Sequence, residues 1–299
     1  MTRPVVVGVD GSPQSRAAAE WGAREAARRG LPLHLVHAWI NEPLYAPPVP
    51  DEPASRQLLE DHEGEVADRH PGLTITTALL PEMATAGLVE QAAGAELLVL
   101  GTRGHGPVMG FLLGSVGLPV ITHSSRPVVL VRTSGTDQEP ADQVPGNGGE
   151  GDEIVVGLKD LGQPAATLLE FAFTSASARG AAVRAVRAWG APSLFGANPP
   201  ENLEGDERDR HLDLETRHAE ELVTVLAPWR QRYPGVPVIE HLRYGNAAEV
   251  LLDATAGQAA LVVTGRRVRR PLLAMRAGPV THAAVHHARP PVAVVPHED

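Results

Sequence analysis

The chain has 299 residues, more than one domain usually needs, with 43% hydrophobic and 21% charged residues, the composition of a folded globular protein. It has no cysteine, which excludes disulfides, thiolate metal sites and thiol catalysis. A net charge of −10 argues against general binding to nucleic acid or anionic membranes. No apolar run reaches the roughly 18 residues of a membrane span. With no signal peptide before the first strand, a cytoplasmic setting is expected.

Val5-Val6-Val7-Gly8-Val9 predicts a first strand, and Asp10-Gly11-Ser12-Pro13 turns out of it. A helix follows through Ala17, Ala18, Trp21 and Ala26 to a stop at Gly30. Residues 33–39 predict the second strand, residues 43–53 a proline-rich excursion, and the stretch up to Arg69 a polar helix. Pro71-Gly72 turns into a strand over 73–80, and a helix over 84–93 leads to the apolar run 97–100. Residues 126–131 predict the last strand of this half. Strands of the fully buried kind alternating with helices indicate a parallel α/β sheet covered on both faces.

The stretch 97–116 reads LLVLGTRGHGPVMGFLLGSV and carries most of the chemistry. A buried strand ends at Gly101, Gly104, Gly106, Gly110 and Gly114 follow, and Ser115 opens a segment that suits a helix. Strand, glycine-rich loop and helix start together make a phosphate cradle. Glycines let backbone N–H groups approach the anion, and the helix start adds free donors, with Ser115 in the N-cap position. Leu113-Gly114-Ser115 lacks the lysine of a Walker A loop, and glycine at position 113, needed for a nucleophile elbow, is replaced by leucine. A dinucleotide fingerprint is excluded by spacing and by its place in the chain.

The chain then repeats itself. Val5-Val6-Val7-Gly8 returns as Ile154-Val155-Val156-Gly157, and His37-Ala38-Trp39 returns as Arg187-Ala188-Trp189. Pro71-Gly72 returns as Pro234-Gly235, and Leu98-Val99-Leu100-Gly101 as Val262-Val263-Thr264-Gly265. Two tandem doubly wound domains are therefore expected, 1–133 and 153–299, joined by a flexible acidic linker over 134–152. The second half carries a longer, charged helix before Pro234.

The pattern Gly101-x2-Gly104-x9-Gly114-Ser115 resembles the nucleotide loop of the ATP-binding universal stress proteins, and the resemblance covers both repeats. It implies a Rossmann-like fold and one ATP site, in the first repeat. In that family the acid after strand one lies near the ribose and any metal, here Asp10, with magnesium accompanying ATP. The end of strand two lines the adenine pocket, here Ala38. The loop glycines and hydroxyl meet the phosphates, here Gly101, Gly104, Gly114 and Ser115. Carried over with their neighbours, the site comprises Val9, Asp10, Gly11, Ala38, Gly101, Thr102, Arg103, Gly104, His105, Gly114, Ser115 and Val116. From the residues alone, Asp10 suits an Asx turn capping the next helix as well as it suits a ligand. His105 suits solvent as well as a phosphate.

The second repeat departs from the pattern. Val268 stands for Gly104 and Pro279 for Ser115, so the cradle loses a flexible position, a hydroxyl and an N–H. Asp160 remains available to stand in for Asp10. Its loop carries Arg266, Arg267, Arg269, Arg270 and Arg276, which reads as a solvated charged loop or as a docking site for an acidic partner or phosphate. His282 and His286, four apart, suit a helix end better than a metal site lacking a third ligand.

The implied function is a nucleotide-dependent stress sensor or regulator, not a fast enzyme, since no lysine, arginine or base is poised for phosphoryl transfer. The rivals are a nucleotide-independent interaction protein and a slow ATPase of the related nucleotide-cleaving superfamily. The latter is expected to carry a Ser-Gly-Gly loop where Asp10-Gly11-Ser12-Pro13 stands. The partners implied are an adenine nucleotide, the other half of the chain in a pseudo-dimer through 128–131 and 292–295, a second copy as a homodimer, and an unidentified protein. Nucleic acid and membrane are not among them.

Overall fold

The computed structural model describes residues 2–40, 52–102, 116–133, 153–190, 205–268 and 277–298. They belong to two compact units, Met1–Val144 and Pro145–Asp299. The expected linker 134–152 lies outside the described residues, as do residues 43–51 of the proline-rich excursion.

The first unit runs β1 (Val5–Gly8), α1 (Pro13–Arg29), β2 (Leu33–Ile40), α2 (Glu52–Arg69), β3 (Ile75–Met83), α3 (Ala84–Ala93), β4 (Leu97–Thr102), α4 (Gly117–His123) and β5 (Val128–Arg132). Its strands lie in the order β3-β2-β1-β4-β5, every pairing parallel. Period-two alternation sends Val5 and Val7 towards Gly22 of α1 and aims Gly8 at Leu88 of α3. Both faces are thus covered, which is why β1 and the first four residues of β4 are apolar without interruption.

α1 shows how locally the helices are specified. Ser12 caps its start, its hydroxyl accepting from the Ser15 N–H (3.1 Å), and Pro13 sits where no N–H is needed. Gly30 ends it in the left-handed region at φ 63°. Ala18, Ala19, Gly22, Ala23 and Ala26 form the buried face, small enough to lie close against the sheet.

The second unit runs β6 (Glu153–Gly157), α5 (Gln163–Arg179), β7 (Ala182–Trp189), α6 (Asp206–Arg232), β8 (Val238–Tyr244), α7 (Ala247–Ala254), β9 (Ala259–Arg267), α8 (Pro279–His287) and β10 (Val292–His297). The order β8-β7-β6-β9-β10 repeats that of the first unit, again wholly parallel. Among the described residues no helix is long and apolar enough to cross a membrane.

Several boundaries differ from the sequence reading. β3 covers Ile75–Met83 rather than 73–80, because the Leu73 N–H closes the preceding turn on the His70 carbonyl (3.1 Å). It then continues through Pro81, which an edge strand tolerates. α2 starts at Glu52, so Pro53 belongs to its first turn and not to the excursion. β4 extends to Thr102, making Gly101 and Thr102 strand residues rather than loop. The N-cap of α4 is Val116, one residue beyond Ser115, and no side chain caps it.

Candidate functional site

In the first unit the chain leaves β1 towards β2 on one side and returns to β4 on the other, so the crossover direction reverses between β1 and β4. Open parallel sheets leave a crevice at the carboxyl ends of the strands at such a point. Gly8 pairs with Val36 of β2 and with Leu100 of β4. Continuing that register by two residues brings Asp10, Ala38 and Thr102 to one level across three neighbouring strands. The Val9 N–H bonds to the Val36 carbonyl (2.9 Å), so the pairing does persist beyond Gly8.

Asp10 is held by its own turn. Its Oδ1 accepts from the Ser12 N–H (3.0 Å) and from the Ser12 hydroxyl (2.5 Å), which in turn caps α1. The Asx turn is therefore real, and it fixes the carboxylate at the crevice. Burial pushes the Asp10 carboxyl upward, but hydrogen bonds from the Ser12 side chain and backbone and from Ser15, with the nearby His37, hold it below the ordinary aspartate range. A carboxylate so held accepts hydrogen bonds or meets a cation. It suits ribose hydroxyls or a divalent ion, not a bare phosphate.

His37 is a site residue that motif reading passed over. Its Nδ1–H donates to the Val9 carbonyl (2.7 Å), the residue before Asp10. The ring is buried, and Nε2 finds no hydrogen-bond partner among the described residues. The signal was in the pattern: His37 continues the inward face of Leu33 and Leu35, where a polar residue is costly without a reason.

Gly101 has a different job from the one the loop pattern gives it. A Cβ there would lie 2.3 Å from the Gln14 carbonyl oxygen and 2.8 Å from the Ser15 nitrogen. Its lack of a side chain lets β4 touch the first turn of α1 directly. Gly11 is needed for conformation, with φ at +80°. Thr102 is buried, its hydroxyl 3.5 Å from the Val131 carbonyl, and Val116 opens α4. Arg103, Gly104, His105, Gly114 and Ser115 lie outside the described residues.

The same level in the second unit is built otherwise. Asp160 does not wait for a ligand, because Arg267 grips its carboxylate at 3.1 Å. Arg266 is buried and Arg267 is ion-paired to Asp160, and both belong to strand β9 rather than to a loop; Arg269, Arg270 and Arg276 lie outside the described residues. A Cβ on Gly265 would meet side chains, His297 Nε2 at 2.8 Å and Leu168 Cδ1 at 3.2 Å. Pro279 is the first residue of α8, with Gly278 as a cap that offers no side chain. Arg187, the counterpart of His37, turns to α6 and donates to Glu221 (2.9 Å). The His282 and His286 rings lie 4.2 Å apart, tilted by 44°, and no group of three potential metal ligands occurs among the described residues.

Comparison with known proteins gives the lineage of this frame. The model of the universal stress protein family matches the chain twice, over residues 1–132 and 152–296. A universal stress protein of Mycobacterium tuberculosis is 33% identical over 97% of this chain and 96% of its own length. One from Mycolicibacterium smegmatis is 32% identical over the same shares. A protein of unknown function from Pseudomonas aeruginosa shares the fold at a TM-score of 0.67 and 17% identity, with 100% of this chain and 94% of that one covered. A universal stress protein from Archaeoglobus fulgidus does so at 0.61 and 16%, with 98% of each covered. Tandem matches of one family model over nearly the whole length, on two units of identical strand order, leave one conclusion: the chain belongs to the universal stress protein family.

Proposed function

We propose that the first unit binds ATP in the crevice between β1 and β4, and that the protein acts in the stress response as a nucleotide-dependent sensor rather than a fast enzyme. The observation that carries this reading is the reversal point of a parallel sheet between β1 and β4, with Asp10 following β1, Ala38 in β2 and Thr102 ending β4. Asp10 would face the ribose and a magnesium ion, and Ala38 the adenine. The loop from Gly101 to Ser115 would supply backbone donors to the phosphates, as its spacing supports. α4 has only seven residues, so the loop rather than a helix dipole must do most of this work.

Turnover is expected to be slow. Phosphoryl transfer needs fixed positive charge on the equatorial oxygens and an oriented water, and backbone donors supply only part of that. Two units of one family in one chain also fit an intramolecular pseudo-dimer, and pairing through β5 and β10 belongs to this proposal. The direct test is mass spectrometry of small molecules released when the purified chain is denatured, together with titration of the emptied protein with ATP. An adenine nucleotide near one per chain, lost with Asp10→Ala, is expected. No bound nucleotide and no uptake of added ATP would favour a nucleotide-independent interaction protein.

A further inference from the structure

Outside the crevice, the outer edge of the second unit leaves apolar side chains of α6 exposed. α6 has 27 residues, yet only Leu222 and Leu226 are buried. α2, at the same place in the first unit, buries four of its 18: Ser55, Leu59, His62 and Val66. Leu212 and Val223 of α6 are left 49% and 44% exposed. Leu222 and Leu226 already pin the helix to its sheet, and Trp189 packs on His211 and His218 at 4.6 and 5.6 Å, so these leucine and valine side chains are not needed to hold α6 down.

They line a groove of about 860 Å³ between α6 and β8, floored by Leu242 and bounded by Ala219, Val223 and Leu212. β8 is the edge of its sheet: it pairs with β7, and no strand among the described residues lies beyond it. Such an edge presents a row of unpaired N–H and C=O groups. The groove's charged residues are Glu215, Glu220 and Glu240, with no lysine or arginine in its lining. Arg230 neutralises Glu240 at 2.6 Å, whereas Glu215 and Glu220 have no ion-pair partner among the described residues.

We propose that this groove docks an extended segment of another protein that carries apolar and basic residues together on one face. The segment would add as a strand beside β8 and turn one face to α6, where its apolar residues meet Leu212 and Val223 and its lysine or arginine residues meet Glu215 and Glu220. Backbone pairing gives such a contact its affinity, and the two carboxylates give it a sign. A second copy of this chain is a poor occupant, because a two-fold contact would set Glu215 and Glu220 against themselves.

The test uses the full chain and two blocked peptides with threonine at every other position, one carrying leucine and lysine in turn at the positions between, the other leucine and glutamate. The lysine peptide should bind and slow amide exchange in Val238–Tyr244, while the glutamate peptide should not bind. Glu215→Lys with Glu220→Lys should weaken the lysine peptide about ten-fold or more. Glu60→Lys with Asp68→Lys, the same charge change on α2, should leave it unaltered. Equal weakening by both pairs, equal binding of both peptides, no binding, or no protection of β8 would overturn the proposal. So would a dimer in sedimentation that is abolished by Leu212→Ser with Val223→Ser, since the occupant would then be a second copy. The peptide comparison on the unaltered chain decides even where a variant fails to fold.

Discussion

The two units carry the same five-stranded order, and at the level just past the first strand they do opposite things. In the first, Asp10 is braced by its own turn and His37 holds the adjoining backbone, so charge is fixed at the mouth of a crevice. In the second, Asp160 is spent on Arg267, and the residue in the place of His37 reaches away to α6. The frame is the same in both units, and the side-chain contacts at this level are not. Gly101 and Gly265 make the point sharpest. Both survive, yet Gly101 abuts backbone while Gly265 abuts the ends of His297 and Leu168. A retained glycine near the end of such a strand therefore reports packing first, and says little by itself about a retained site.

The largest effect should come from breaking that contact. Gly101→Ala forces a Cβ into the Gln14 backbone and should cost roughly 3 kcal/mol, whereas side chains can move aside for Gly265→Ala at about 1 kcal/mol. Hydrogen exchange within each unit reads the two separately, and the reverse ranking would contradict the account. Gly11→Ala comes next, at about 1–2 kcal/mol, because alanine resists φ of +80° and its Cβ would meet Leu58.

A pH titration sharpens the comparison further. The folded Asp10 carboxyl is more acidic than the ordinary 3.8, so the native state holds fewer protons there than the unfolded chain. Its stabilisation is fully present above that value and lost as the pH falls through the lower folded one. The chain and its Asp10→Asn variant should thus differ in stability at neutral pH and converge in acid; a gap that persists at low pH would speak against the turn as described. Smallest of all is Arg267→Ala, which removes a half-exposed ion pair and should change stability by less than about 1 kcal/mol.

Much of this was legible in the residues. α3 begins and ends where its pattern says, because Ala84–Ala93 is a short amphipathic run between clear neighbours. Gly30 marked the end of α1 and the repeat marked two units. What was hidden depends on contacts distant in sequence. Nothing near Gly101 reveals that Gln14 lies against it, and nothing near Asp160 reveals Arg267, 107 residues away. The end of β3 was misjudged because Pro81 normally stops a strand, and only its edge position permits it.

The measurement that bears most directly on the asymmetry is calorimetric titration of the full chain, freed of bound nucleotide, with ATP and magnesium. One equivalent should bind, and Gly114→Asp should abolish it by placing a side chain and a negative charge in the first unit's loop. The corresponding change in the second unit, Gly278→Asp, should leave that binding as it was. Two equivalents of similar affinity, or a single one lost through Gly278→Asp instead, would contradict the division of labour between the units.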